Sequence, residues 1–103
     1  MTPTKRSLDL LREEGYKVAI VEHWNHFAQI RQDLFGFIDL LAIKPGEVLA
    51  VQVTSVSNMS SRRNKIADHE NVGPVRESGI RIELHGWAKG ANGRWQVKRE
   101  DLS

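Results

Sequence analysis

Residues 32–57 read QDLFGFIDLLAIKPGEVLAVQVTSVS, and the reading of this stretch decides the fold. Two apolar runs, Leu34–Ile43 and Val48–Ser55, flank the segment Lys44-Pro45-Gly46-Glu47. Proline presets φ at the second position of a turn, and glycine accepts the positive φ that a type II turn needs at the third. Counting outward from Pro45 and Gly46 sets the register of an antiparallel hairpin. Lys44 faces Glu47, Ile43 faces Val48, Leu41 faces Ala50 and Asp39 faces Gln52. Opposed residues share a face and lie within side-chain reach. Asp39 is therefore expected beside the Gln52 amide, with Thr54 two residues further along the same face. The rest of the hairpin is apolar on both faces, with Phe37, Leu41, Ile43, Val48 and Ala50 on one and Ile38, Leu40, Leu49, Val51 and Val53 on the other. Such strands occupy the middle of a sheet covered on both sides. Helices are expected on each face.

Toward the N-terminus, Thr4–Glu14 has an apolar stripe at Leu8 and Leu11, candidate caps at Thr4 or Ser7, and a stop at Gly15. Tyr16–Val21 alternates Val18 and Ile20 with Lys17 and Ala19, as a short strand does. The segment EHWNHFAQIRQ, Glu22–Gln32, reads as the end of that strand and a loop. Toward the C-terminus, Ser57 and Asn58 are good caps for a helix over Met59–His69, continued irregularly past Asn71–Pro74 to Ser78-Gly79. Ile80–Leu84 alternates like a strand with one wet face. A turn at Gly90–Gly93 then leads to a last strand, Arg94–Lys98, holding Trp95 and Val97. The order is αβββαββ. It predicts one α+β domain over residues 1–103, with a central mixed sheet flanked by helices.

Composition narrows the function classes. The 103 residues carry a formal net charge of +2 and no cysteine, which excludes disulfides, thiolate catalysis and zinc–thiolate sites. No apolar run has the length of a membrane span. The charged start MTPTKRSLDLLREEG differs from a signal peptide, so a cytoplasmic protein without a membrane partner is expected. His23 and His26 are spaced i, i+3 without a third ligand nearby and read as loop or surface residues rather than a zinc site. Trp87 and Trp95 read as packing residues of the C-terminal hairpin against a helix. No Ser-His-Asp arrangement is visible.

A carboxylate within an apolar sheet is costly unless paired, hydrogen-bonded or metal-bound. Two readings of Asp39 stand side by side. Either it accepts a hydrogen bond from the Gln52 amide and is satisfied, or both residues offer oxygens to a divalent cation, joined by the Val53 carbonyl and waters. An all-oxygen set suits Mg2+ or Mn2+. Arg62, Arg63 and Lys65 cluster at the start of the next helix, beside the Asp39/Gln52 position. A helix N-terminus attracts phosphate, and the cluster is read as a nucleic-acid contact.

The element order, with Asp39 and Gln52-Val53-Thr54 on the two arms of the hairpin, resembles the PD-(D/E)XK nuclease superfamily, in particular small Holliday-junction resolvases and VRR-NUC-like domains. Their Gly-x-x-Asp, hairpin, Glu-x-Lys pattern lies over Gly36-Phe37-Ile38-Asp39, Pro45-Gly46 and Gln52-Val53-Thr54. The resemblance implies a restriction-endonuclease-like core, DNA as partner, pairing of two copies, and metal-dependent endonuclease activity on branched or structured DNA. It makes Asp39 the main metal ligand and Gln52 the second. The position of the family lysine is Thr54, whose hydroxyl carries no charge, so Lys65 or Arg62 would have to supply it. Glu22 or Asp33 would add a carboxylate, and the glutamate that many resolvases carry in their first helix falls at Thr4. The alternative is a catalytically silent nuclease-like domain kept for nucleic-acid binding or assembly.

Overall fold

A computed structural model describes residues 1–103. Helix α1 spans Pro3–Glu13. It is followed by β1 (Lys17–Ile20), a small hairpin of β2 (His23–Asn25) and β3 (Ile30–Gln32), then β4 (Leu40–Lys44) and β5 (Glu47–Ser55). A single 3-10 turn, Val56–Asn58, leads into α2 (Met59–Ala67) and α3 (Val72–Glu77), and β6 (Arg81–Lys89) and β7 (Trp95–Asp101) close the chain. Five strands form one mixed sheet in the order β1-β4-β5-β6-β7, and β2 with β3 forms a separate ribbon. The fold is α+β, as the element pattern predicts. No helix is long and apolar enough to cross a membrane.

The β4–β5 register is the one the turn dictates, with Lys44 opposite Glu47, Ile43 opposite Val48 and Leu41 opposite Ala50. Gly46 takes φ +75°, as the third position of a type II turn requires. The sheet is covered on both faces. Leu40, Ala42, Leu49, Val51 and Val53 pack with Leu8 and Leu11 of α1. Ala50, Ile82 and Leu84 pack with Met59, Ile66, Val72 and Val75 of α2 and α3. Trp87 is buried against α1, and Arg6 of α1 stacks over the Trp95 ring at 4.2 Å, so both tryptophans tie the last hairpin to a helix. The connection from β5 through α2 and α3 makes β6 parallel to β5.

Several local expectations are corrected. The first arm of the central hairpin does not begin at Leu34. Leu34 and Ile38 exchange backbone hydrogen bonds at 3.0 Å across a tight turn in which Phe35 and Gly36 both take positive φ. Phe37 and Ile38 consequently enter the same α2-side core, although a continuous strand would put them on opposite faces. Gly36 has φ +88°, and a Cβ there would lie 2.3 Å from Nε2 of His69 in the loop after α2, so both backbone and space favour glycine. The α1 cap is Thr2, whose hydroxyl accepts from Lys5 N–H at 3.2 Å, rather than Thr4 or Ser7. Pro3 then starts the helix, where its missing N–H costs nothing. The Glu22–Gln32 segment contains the β2–β3 ribbon instead of a plain loop. The helix after Ser57 ends at Ala67, and β6 extends to Lys89.

The supposed wet face of β6 is also covered, because Glu83 and His85 are buried under α1. Ser7 Oγ lies 2.9 Å from His85 Nδ1, and the Trp87 indole N–H donates to the same Oγ at 2.8 Å. His85 Nε2 lies 3.0 Å from Glu83 Oε1, which also accepts from Arg99. A serine–histidine–carboxylate chain thus exists, contrary to the reading of the sequence. Ser7 and His85 are both at zero exposure. No substrate reaches them, and the chain fastens α1 to the sheet.

Candidate functional site

The central sheet creates the site by stopping short. The β4–β5 ladder runs outward from the turn to Leu40 opposite Val51, and there β4 ends. Asp39 N–H still donates to the Val51 carbonyl at 2.9 Å, while β5 continues for several residues. Val53 N–H therefore loses its ladder partner, and the Asp39 carboxylate replaces it, accepting at Oδ2 from Val53 N–H and from Gln52 Nε2, each at 2.8 Å. The second oxygen, Oδ1, accepts no hydrogen bond within the chain. In an extended strand the C=O of a residue points to the same side as its N–H, so the Val53 carbonyl also faces the gap left by β4.

That gap is a cavity of about 320 Å³, walled by Asp39, Gln52 and Val53 of the sheet edge and by Arg62 and Lys65 of α2. Glu22, just after β1, and Asp33, just after β3, close it together with Arg31 and Thr4. Oxygens of Glu22, Asp33 and Asp39 lie within 4.8 Å of one another. The cluster brings together three acids that lie on separate segments, before the ribbon, after it and just ahead of β4. Glu22 and Asp33, expected as alternative further carboxylates, both line the cavity.

The electrostatics follow from burial. Loss of water pushes the Asp39 carboxyl up to about 8, against the stabilising Val53 N–H and with help from the neighbouring Asp33 and Glu22 charges. Arg31 is the one cation in direct contact with the acids, its guanidinium 3.0 Å from Glu22 Oε1. Lys65 and Arg62 stand on the opposite wall without an ion-pair partner, and so face a cavity that concentrates negative charge.

The donor set fits a hard divalent cation. It consists of three carboxylates and an amide oxygen, with a backbone carbonyl beside them and neither sulfur nor imidazole. Oxygens on opposite sides of Mg2+ are roughly 4.2 Å apart, so small rotations would bring these groups to ligand distance. Gln52 turns its amide nitrogen to Asp39, which leaves its oxygen without a hydrogen bond inside the chain.

Two expected site residues lie elsewhere. Thr54 is buried beside β6, opposite Gly86, and does not line the cavity. Arg63 turns away along α2 and forms a two-pronged ion pair with Glu100 of β7, its Nε 2.7 Å from Oε2. One helical step separates it by about 100° from Arg62, enough to move it off the cavity face. His23 and His26 are exposed and belong to no metal-ligating cluster. Arg31 is the residue that sequence reasoning missed. It sits on the ribbon, whose strands of three residues are too short for periodicity to reveal. The available signal was Asn25, whose side chain accepts from Phe27 and Ala28 N–H at 3.0 Å and builds the turn.

The chain matches no protein-family model and no curated protein sequence. Fold and cavity together define an α+β protein with an open, acid-lined cleft at the end of a truncated central strand, faced by basic residues of a helix.

Proposed function

We propose that this protein is a metal-dependent phosphodiesterase acting on DNA, an endonuclease of the PD-(D/E)XK type in which the usual second-motif residues are replaced. The observation that carries this reading is the convergence of Glu22, Asp33 and Asp39 oxygens within 4.8 Å in a cavity that Arg62 and Lys65 also line. Three acids so close together cost free energy that the single Arg31–Glu22 pair only partly offsets, and two basic groups without an ion-pair partner beside them suit a phosphate.

Asp39, Glu22 and Asp33 would hold Mg2+ or Mn2+, with Gln52 Oε1 and the Val53 carbonyl as neutral donors. When bound, such an ion supplies Lewis-acid polarisation of a phosphoryl oxygen and a more acidic water. Gln52 Nε2 and Val53 N–H fix the Asp39 carboxylate and direct its free oxygen into the cavity. Lys65 and Arg62 take over the charge role of the lysine absent at Thr54, offsetting negative charge that builds on the phosphoryl oxygens. Asp39 and Gln52 alone would bring a single negative charge to a divalent ion, and Glu22 and Asp33 add two more.

A second reading has its own support. The hydrogen bonds from Gln52 Nε2 and Val53 N–H hold the Asp39 carboxyl in place without any ion, which suits a silent domain that binds nucleic acid. Nicking of supercoiled plasmid or branched DNA in Mg2+ or Mn2+ separates the two. The hydrolase reading expects cleavage that Asp39→Ala abolishes. Retained DNA binding without cleavage in either metal would select the silent domain.

A further inference from the structure

Two more clefts share lining residues with the acidic cavity, and both touch His23 and Arg31 of the β2–β3 ribbon. The first, about 320 Å³, lies between the ribbon and the start of α1 and is lined by Trp24, Ile20 and Lys5. The second, about 550 Å³, is lined by Phe35, Gly36 and Lys65. Arg31 lines all three spaces, Glu22 and Thr4 are shared with the first cleft, and Asp33 and Lys65 with the second. The two clefts also share His23 and Arg31 with each other, so the three spaces adjoin as one groove that holds the carboxylates and carries an aromatic ring in each cleft. Trp24 is 50% exposed and Phe35 52% exposed. Single exposed aromatics need no explanation, but these two share a groove that also carries Lys5, Arg31 and Lys65.

Phe35 is held there against its own backbone preference. Its φ is +54°, a region that L-residues with bulky side chains avoid. Asn71 Nδ2 donates to the Phe35 carbonyl at 3.0 Å, and the adjoining Gly36 is wedged against His69. The turn is thus fixed from the loop between α2 and α3, and the ring is presented outward rather than folded into the core.

We infer that the groove takes one unpaired strand of nucleic acid, with bases stacked on Trp24 and Phe35 and the backbone crossing the acidic cavity. Flat rings in the two clefts suit bases of any identity, and the basic side chains suit a backbone with one charge per nucleotide. A base paired within a duplex keeps its faces stacked on its neighbours and offers them to neither ring. The favoured substrate is therefore DNA with an unpaired segment at the cut. This inference rests on the phosphodiesterase reading of the cavity.

The test is fluorescence-polarisation binding of labelled oligo(dT), and of a duplex of equal length, to the full chain without divalent metal. Binding of oligo(dT) is expected to be about tenfold tighter than binding of the duplex. Trp24→Ala should weaken oligo(dT) binding about tenfold with little effect on the duplex, and Trp24→Phe should restore most of it. Phe35→Asn, chosen because asparagine tolerates positive φ, should act like Trp24→Ala once circular dichroism shows an intact fold. Equal binding of the two nucleic acids would overturn the inference, as would oligo(dT) affinity that ignores both substitutions. Lack of cleavage alongside aromatic-dependent strand binding would sink only the hydrolase reading. Cleavage of duplex and unpaired DNA alike, unaffected by either ring, would sink only the groove.

Discussion

The Ser7 hydroxyl of α1 lies 2.9 Å from His85 Nδ1 of β6 and also accepts the Trp87 indole N–H at 2.8 Å. A neutral imidazole protonated at Nε2 satisfies the whole set, because Nε2–H donates to Glu83, Nδ1 accepts from Ser7, and Ser7 accepts from Trp87. Ser7→Ala leaves two buried ring nitrogens without partners while removing one oxygen from the helix. Each unsatisfied buried group costs about 1–3 kcal/mol. We therefore expect Ser7→Ala to lower stability by about 2–4 kcal/mol in urea denaturation, with an unchanged m-value. A shift below 0.5 kcal/mol, in the range of ordinary surface substitutions, would show that the clamp contributes nothing.

The far end of the same chain sets an acid limit. Hydrogen bonding from His85, together with the Arg99 charge, holds the Glu83 carboxyl below its ordinary value despite burial. A carboxyl depressed in the folded state binds fewer protons there than in the unfolded chain, so it adds stability above its unfolded value of 4.5. That contribution disappears as pH falls from there through the folded value. Wild-type Tm should drop steeply below about pH 4.5, and Glu83→Gln should flatten that limb while lowering Tm near neutrality. Parallel acid limbs for the two proteins would rule the linkage out.

The acidic cavity should trade stability for function. Asn at position 39 can still accept from Gln52 Nε2 and Val53 N–H through its carbonyl, and its NH2 would face Asp33 and Glu22 as a donor instead of a third acid. Asp39→Asn is expected to raise the metal-free Tm at pH 8 by several degrees, about 1–2 kcal/mol. Millimolar Mg2+ or Mn2+ should stabilise the wild type and leave the variant unmoved. A destabilised variant, or equal stabilisation of both by metal, would contradict a cavity built around a cation.

How far these features could be read from the sequence depends on the range of the interaction behind each. The β4–β5 register followed from Pro45 and Gly46 because a two-residue turn leaves no other pairing, and it placed Asp39 beside Gln52 correctly. Both faces of the sheet were legible from the unbroken apolar run Val48–Val51. The tight turn at Leu34–Ile38 was not, since the run LFGFI is apolar throughout and only the fit of Gly36 against His69, thirty-three residues on, requires the bend. His85 likewise falls just past Ile80–Leu84, where the alternation marks a strand. Its burial depends on Ser7, seventy-eight positions away. The meeting of Glu22, Asp33 and Asp39 lay between these cases: each acid was visible, but the ribbon that folds Asp33 back beside Glu22 was not.

Arg62 and Arg63 are adjacent in sequence yet should behave differently. Arg62 and Lys65 line the cavity, whereas Arg63 is engaged by Glu100 on β7. A phosphate contact contributes to the salt dependence of binding in proportion to the number of charges neutralised, about 0.7 per contact on a single strand and 0.9 on duplex DNA. Arg62→Ala and Lys65→Ala should each weaken binding for all sequences and lower the slope of log K against log salt by nearly one. Arg63→Ala should leave both affinity and slope unchanged. Its ion pair with Glu100 is exposed and solvent-screened, so its loss should leave stability nearly unchanged. Salt-titrated binding of the three variants to one labelled DNA decides the matter. Equal losses for Arg62→Ala and Arg63→Ala would mean that the Arg63–Glu100 pair opens to bind phosphate, and that the basic face of α2 is wider than the cavity wall.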